Sequence, residues 1–212
     1  RPRNGLNQSV QPIEFEVNLT RRIIVGVTGA SGVVYARRCL EALREADIET
    51  HLVVSKAAEM TLAYELDMKA ADLEPLASVR YSPADIGAAI SSGSFQTDGM
   101  TIVPCSVKTM SEIATGVTSN LISRAADVVL KERRRLVLMV RETPFHLGHL
   151  RTMTSLAEMG AVIAPPIPSF YIEPKSVKDL VDQSVGRVLD LFGIDSPLTR
   201  RWGEDLEKGS RR

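Results

Sequence analysis

Cysteine is scarce: Cys39 and Cys105 are the two present in 212 residues. That is too few for a disulfide framework, and their spacing is not that of a zinc site. No run of 18 apolar residues occurs, so no segment reads as a membrane-spanning helix. Net charge is lacking as well. Lys and Arg number 26, Asp and Glu 26, without the basic excess of a nucleic-acid binder; a local basic pocket for a small anion is still allowed. No repeat, low-complexity tract, G-x-G-x-x-G spacing or Walker A loop is found, which disfavours an NAD-dependent oxidoreductase. The chain opens on Arg1, which reads as a trimmed start. Arg1 and Arg3 lack the apolar stretch of a targeting segment, and Glu14 and Glu16 follow them.

What is present is ordinary globular material, 44% hydrophobic and 25% charged. The length suits one domain that buries about 70% of its unfolded surface. An irregular arm is expected over 1–21, the domain over 22–195 and a C-terminal tail over 196–212, charged from Arg200 onward and fraying at its end. Apolar β-branched runs predict strands at 23–27, 48–54, 100–103 (ended by Pro104), 136–140 and 161–164. Helices are predicted at 34–46, 57–66, 106–115, 120–133, 147–158 and 177–191. Short apolar strands alternating with helices indicate an α/β fold, a single Rossmann-like or flavodoxin-like domain whose parallel sheet carries helices on both faces. Such sheets bind ligands at the carboxyl ends of their strands, so the residues after each strand are the informative ones.

After the first strand stands Thr28-Gly29-Ala30-Ser31-Gly32. It reads either as a close-approach anion loop at a helix start or as a tight turn capped by Ser31. Ser55 after the second strand is an N-cap or a site residue. After the third, Ser106, Val107, Lys108 and Thr109 form a plausible anion cradle, and Cys105 reads as a small packing residue. Upstream, Ile90-Ser91-Ser92-Gly93-Ser94 reads as a polar loop outside the core. Arg141-Glu142 after the fourth strand is poorly explained by packing; the Arg can fork onto a phosphate and the Glu can shuttle a proton. Arg133 to Arg135 read as a solvated helix end, whereas Lys131, a turn earlier, can point elsewhere. Three prolines, Pro165, Pro166 and Pro168, stiffen a loop that ends at Tyr171. Arg187, among apolar neighbours in the last helix, reads either as a guanidinium that needs a partner or as part of an exposed helix face. His146 and His149 have no third ligand nearby and read as capping or surface residues. No metal-ligand cluster is seen.

Taken together, GVTGASG at 26–32, SKAAE at 55–59, ISSGSFQTDGM at 90–100, PCSVKT at 104–109, RAADVVLKERR at 124–134, VRETPFHLGHL at 140–150 and PPIPSFY at 165–171 resemble the UbiX-type flavin prenyltransferases. These belong to a flavoprotein superfamily that also holds FMN-dependent cysteine decarboxylases. The resemblance implies a cytoplasmic, metal-free enzyme that joins the dimethylallyl group of dimethylallyl phosphate to N5 and C6 of reduced FMN. The prenylated FMN would serve a UbiD-type decarboxylase, in ubiquinone biosynthesis or aromatic acid decarboxylation. It also implies a homo-oligomer, a dodecamer, with sites at subunit borders. FMN contacts would be Gly29, Ala30, Ser31, Ser55, Ser106, Val107, Lys108, Thr109 and Arg141. The prenyl phosphate would meet Arg124, Lys131, Tyr171 and Arg187, and Ser31, Glu65, Lys131, Glu142 and Tyr171 would take part in catalysis. Two departures stand out: the long arm before the first strand, and Ile86 where some members carry an aromatic residue. The rival readings are a cysteine decarboxylase and a non-catalytic flavin-binding subunit.

Overall fold

β-Branched runs too short for helices form strands, and the amphipathic stretches between them form helices. The computed structural model describes residues 20–204. In chain order the elements are β1 (Arg22–Val27), α1 (Val33–Glu45), β2 (Glu49–Val54), α2 (Lys56–Leu66), β3 (Val79–Tyr81), β4 (Gly99–Cys105), α3 (Val107–Thr115), α4 (Leu121–Lys131), β5 (Arg135–Val140), α5 (Leu147–Glu158), β6 (Val162–Ile163) and α6 (Val177–Leu191). All neighbouring strands pair in parallel, in the order β3-β2-β1-β4-β5-β6. This is the doubly wound order, whose direction reverses between β1 and β4. Among the described residues no helix is long and apolar enough to cross a membrane.

Two apolar layers sandwich the sheet. Ile23, Val25, Leu40, Leu43, Val185 and Leu189 pack on one face, and Ile24, Met100, Ile122, Val129 and Leu138 on the other. Successive residues of one strand therefore serve opposite layers, which is why the strands read as unbroken apolar runs.

Several expectations need correction. Strand β3 escaped the sequence reading because it is an edge of three residues, partly exposed and interrupted by Arg80. Pro104 does not end its strand; it lies within β4, where the register shifts between Ile102 and Cys105, the kind of irregularity that tolerates proline. Ile90 belongs to the core, buried in a short 3-10 turn. Arg134 is a tie, not a solvated helix end: it donates to the Phe95 and Gly93 carbonyls at 2.7 and 2.6 Å. Arg135 opens β5 and donates to the Leu191 carbonyl, while Arg133 is exposed as expected. Of the N-terminal arm, residues 1–19 lie outside the described part. Arg21 is anchored, donating to Asp98 and to the Phe192 and Gly193 carbonyls. Residues 196–202, expected to open a tail, pack against α6 through Arg200 and Arg201.

Beneath β3 a polar cluster is buried. His51 Nε2 lies 3.0 Å from Glu49, and its Nδ1 lies 3.0 Å from the Tyr81 hydroxyl. The Phe95 ring meets the imidazole edge-on. Burial holds the imidazole below its ordinary titration range, although Glu49 opposes the shift. A base with a depressed pKa favours folding only while neutral, so its contribution is present above the unfolded value near 6.5 and is lost as pH falls below it. Urea unfolding should show stability declining as pH falls from about 6.5 towards 5, and His51→Gln should flatten that slope. An unchanged slope in the variant would assign the decline to other groups.

Candidate active site

The loops after β1 and β4 meet where the strand order reverses, and a single hydroxyl joins them. Thr28, buried, donates to the Pro104 carbonyl at 2.7 Å and accepts from the Ser106 amide at 2.8 Å. The next residue has no room for a side chain: a Cβ on Gly29 would stand 2.4 Å from the Ala57 Cβ at the start of α2. Ala30 is buried, and Ser31 points outward. Ser31 does not cap the helix as the turn reading expected. Gly32 is the N-cap residue of α1, at φ 101°, and has no side chain with which to cap. The carboxylate of Glu65, at the end of α2, replaces it, accepting from the Gly32 and Val33 amides at 2.8 and 3.1 Å. An internal anion thus fills the position at the start of α1 that a phosphate would take.

Helix α3 offers the other start. Ser106 caps it, accepting from the Thr109 amide at 3.3 Å and donating to the Thr109 hydroxyl at 3.2 Å. The amides of Val107 and Lys108 remain among the orphan donors of the first turn. Lys108 is exposed and pairs with Glu112 at 2.7 Å, and Thr109 is buried. Ser55 caps α2, accepting from Ala58 at 3.1 Å. Cys105 is fully buried, and burial pushes its thiol up to about 12, so it packs and is no nucleophile. His146 caps α5, accepting from the His149 amide at 3.3 Å, and the two rings stack. Among the described residues no cluster suited to a metal occurs.

A cleft of about 610 Å³ opens beside this junction, lined by Ser31, Tyr35, Arg141, Glu142, Phe145 and the proline loop 165–168. The Arg141 amide donates to the Cys105 carbonyl at 3.1 Å, which ties the end of β5 to β4. The Glu142 carboxylate accepts from the Thr143 amide at 2.9 Å. The cleft presents hydroxyl, guanidinium and carboxylate against a stiff apolar wall, a surface for a flat ring with a polar edge. Tyr35 was missed by the sequence reading. Burial raises its phenol pKa, while a hydrogen bond with Ser184 and the nearby charge of Arg141 act the other way, so it stays neutral. Its place in the first turn of the helix that follows β1, at the carboxyl edge of the sheet, is the signal that could have revealed it.

Four expected phosphate contacts are absent from the cleft lining. Arg124 pairs with Asp127 at 2.9 Å, Lys131 with Glu132, and Arg187 with Asp190 at 2.7 Å. Lys131 precedes β5 and Arg141 follows it, so the six residues of that strand separate them, about 20 Å at 3.3 Å per residue. Tyr171 ends the proline loop and is bonded to Gln183.

The architecture and the cleft define a doubly wound α/β domain with a ligand site at the carboxyl edge of its sheet, and comparison with known proteins makes the assignment specific. The family model described as Flavoprotein matches residues 14–189. The flavin prenyltransferase UbiX of Escherichia coli K12 is 57% identical over 185 residues, 86% of this chain and 98% of that one. The mitochondrial flavin prenyltransferase PAD1 of Saccharomyces cerevisiae is 51% identical over 86% of this chain and 75% of its own. The crystal structure of AnUbiX (PadA1) in complex with FMN and dimethylallyl pyrophosphate superposes with a TM-score of 0.85 at 52% identity, covering 86% of this chain and 97% of that one. A dodecameric FMN-dependent UbiX-like decarboxylase from Escherichia coli O157:H7 superposes at 0.83 with 49% identity, covering 85% and 98%. Peptidyl-cysteine decarboxylase EpiD, 14% identical, shares the fold alone. The chain belongs to the flavoprotein family and, within it, to the UbiX-type flavin prenyltransferases.

Thr28 touches no expected ligand, yet it sets the distance between the two loops. Thr28→Val removes a buried hydroxyl with two partners and should lower stability by about 1–3 kcal/mol. FMN affinity, read by flavin fluorescence titration, should fall with it. Wild-type values of both would show that the loops need no such link.

Proposed function

We propose that this chain transfers the dimethylallyl group of dimethylallyl phosphate to reduced FMN, and that the cleft beside Arg141 and Glu142 holds the flavin. One observation carries the reading: the segments after β1, β5 and β6 converge on a single cleft with a polar edge and a proline wall, in a chain 57% identical to a flavin prenyltransferase. The donor set fits FMN. Ser31 and Arg141 face the polar edge of a ring, and α3 supplies unpaired amides and the Ser106 and Thr109 hydroxyls to its phosphate. Gly29, Ala30 and Ser55 shape the floor. Reduced FMN, when bound, supplies the nucleophilic N5 and C6.

The chain's own residues handle charge and protons. Cleavage of the prenyl C–O bond builds negative charge on the departing phosphate, which guanidinium and ammonium groups stabilise without a metal. Arg124, Lys131, Tyr171 and Arg187 are the groups we assign to it. Lys131 stands across the sheet from Arg141 of its own chain, which favours delivery to the cleft of another copy. We therefore infer a homo-oligomer, dodecameric as in the relative from Escherichia coli O157:H7, with sites at subunit borders. Glu142 takes up the proton released as the new carbon–carbon bond forms, and Glu65 holds the start of α1 while serving the phosphate side. The product would pass to a UbiD-type decarboxylase, and cytoplasmic residence belongs to the same reading.

Incubation with reduced FMN and dimethylallyl phosphate should add the mass of one dimethylallyl group, less the hydrogen lost from the ring, to the flavin. A flavin of unchanged mass would refute transfer and leave a binding subunit. Glu142→Gln should keep FMN affinity and slow product formation by about 10²–10⁴-fold. Arg141→Ala should instead weaken FMN binding first, a split that titration and single-turnover spectra separate. Wild-type turnover in Glu142→Gln would assign the proton to another group.

A further inference from the structure

Gln183 is a polar side chain in the core of α6, 1% exposed, and the cleft chemistry makes no use of it. Its amide is nearly fully committed. The Arg200 backbone N–H donates to Gln183 Oε1 at 2.8 Å. Nε2 donates to the Arg200 carbonyl at 3.2 Å and to the Tyr171 hydroxyl oxygen at 3.0 Å. A backbone N–H can only donate, so Oε1 must face Arg200 and the NH2 group must face Tyr171. The phenol oxygen therefore accepts from Gln183, and its own proton is left to another acceptor. Among the described residues no acceptor takes that proton. The same segment holds the ring from other sides. Trp202 meets Tyr171 edge-on with centroids 5.8 Å apart, and the Arg200 guanidinium donates to the Ile172 carbonyl next to it. Arg201 fixes the segment to α6 through Asp190 at 2.8 and 3.1 Å.

We infer that Gln183 is a positioning residue that, clamped by the backbone of Arg200, orients the Tyr171 hydroxyl as an outward hydrogen-bond donor to an anionic oxygen of the prenyl phosphate. This rests on the reading of Tyr171 as a phosphate contact. A phosphate oxygen is acceptor-only once ionised, so a phenol that presents its lone pairs outward would repel it, and one that presents its proton would bind it. Gln183 removes the wrong orientation in advance.

The test is a reversal of the clamp. In Gln183→Glu the carboxylate accepts from the Arg200 amide and from Tyr171, gives up the bond to the Arg200 carbonyl, and turns the phenol proton inward. KM for dimethylallyl phosphate should rise about 10–100-fold, the range for a lost hydrogen bond to a charged group, with FMN affinity at the wild-type level. Tyr171→Phe should show the same rise, and the double variant should be no worse than Tyr171→Phe alone. If Tyr171→Phe raises KM while Gln183→Glu does not, or if the two effects add, the orientation role is overturned and the phosphate contact stands. If Tyr171→Phe itself leaves KM unchanged, the phosphate contact is what fails. Should a thermal melt show that Gln183→Glu does not fold, Gln183→Met decides. It frees the phenol to point either way, so KM should fall between wild type and Tyr171→Phe; a wild-type KM overturns the inference.

Discussion

A parallel sheet covered on both faces confines polar chemistry to its edges. Within β1, β4 and β5 the backbone is committed to neighbouring strands and the side chains to two apolar layers. An unpaired polar group there is costly, as is the buried Thr101 hydroxyl of β4. The loops at the carboxyl edge are the first places where donors and acceptors can remain available, and the reversal of strand order between β1 and β4 separates two of those loops enough to admit a ligand. Thr28, Gly29, Ser106 and Arg141 all stand where this geometry requires. The Thr28 hydroxyl then fixes how far apart the two loops are held.

The edge is also where local rules and tertiary structure compete. A serine before a helix is ordinarily a cap, and Ser55 and Ser106 obey that rule. Ser31 does not, because Gly32 adopts a left-handed backbone and a carboxylate from α2 arrives to take the amides. That substitution releases a hydroxyl to the cleft and places a fixed negative charge beside it. The start of α1 is consequently closed to a second anion while Glu65 remains, which leaves the start of α3 as the phosphate-facing end.

Much of this was legible in the sequence, and the failures have physical causes. The bounds of α5 and α6 agree with the sequence reading to the residue; in α6 the reason is an apolar periodicity that holds from Val177 to Leu189. Strand β3 was invisible because an edge of three residues shows neither alternation nor an apolar run. Ile90 was misjudged because its serine and glycine neighbours masked one buried side chain. At the site, position singles out the residues that directly follow a strand, and the resemblance assigns them a role. Tyr35 reads from the sequence as an ordinary helix residue, and Gln183 and the Glu65 cap stay hidden because each acts through a contact between elements distant in sequence: Gln183 with Arg200, Glu65 with Gly32. Arg134 was taken as solvated for the same reason, its carbonyl partners lying 39 and 41 positions upstream.

The contacts of Arg200, Arg201 and Trp202 carry a meaning for synthesis. A ribosome releases these residues after the whole sheet, since β6 ends at Ile163 and α6 at Leu191. The domain core can therefore be complete on a nascent chain while the phenol of Tyr171 still lacks its clamp. A product that stops before Arg200 would retain the sheet and both apolar layers, and to the quality-control machinery that reads exposed core it would pass as finished.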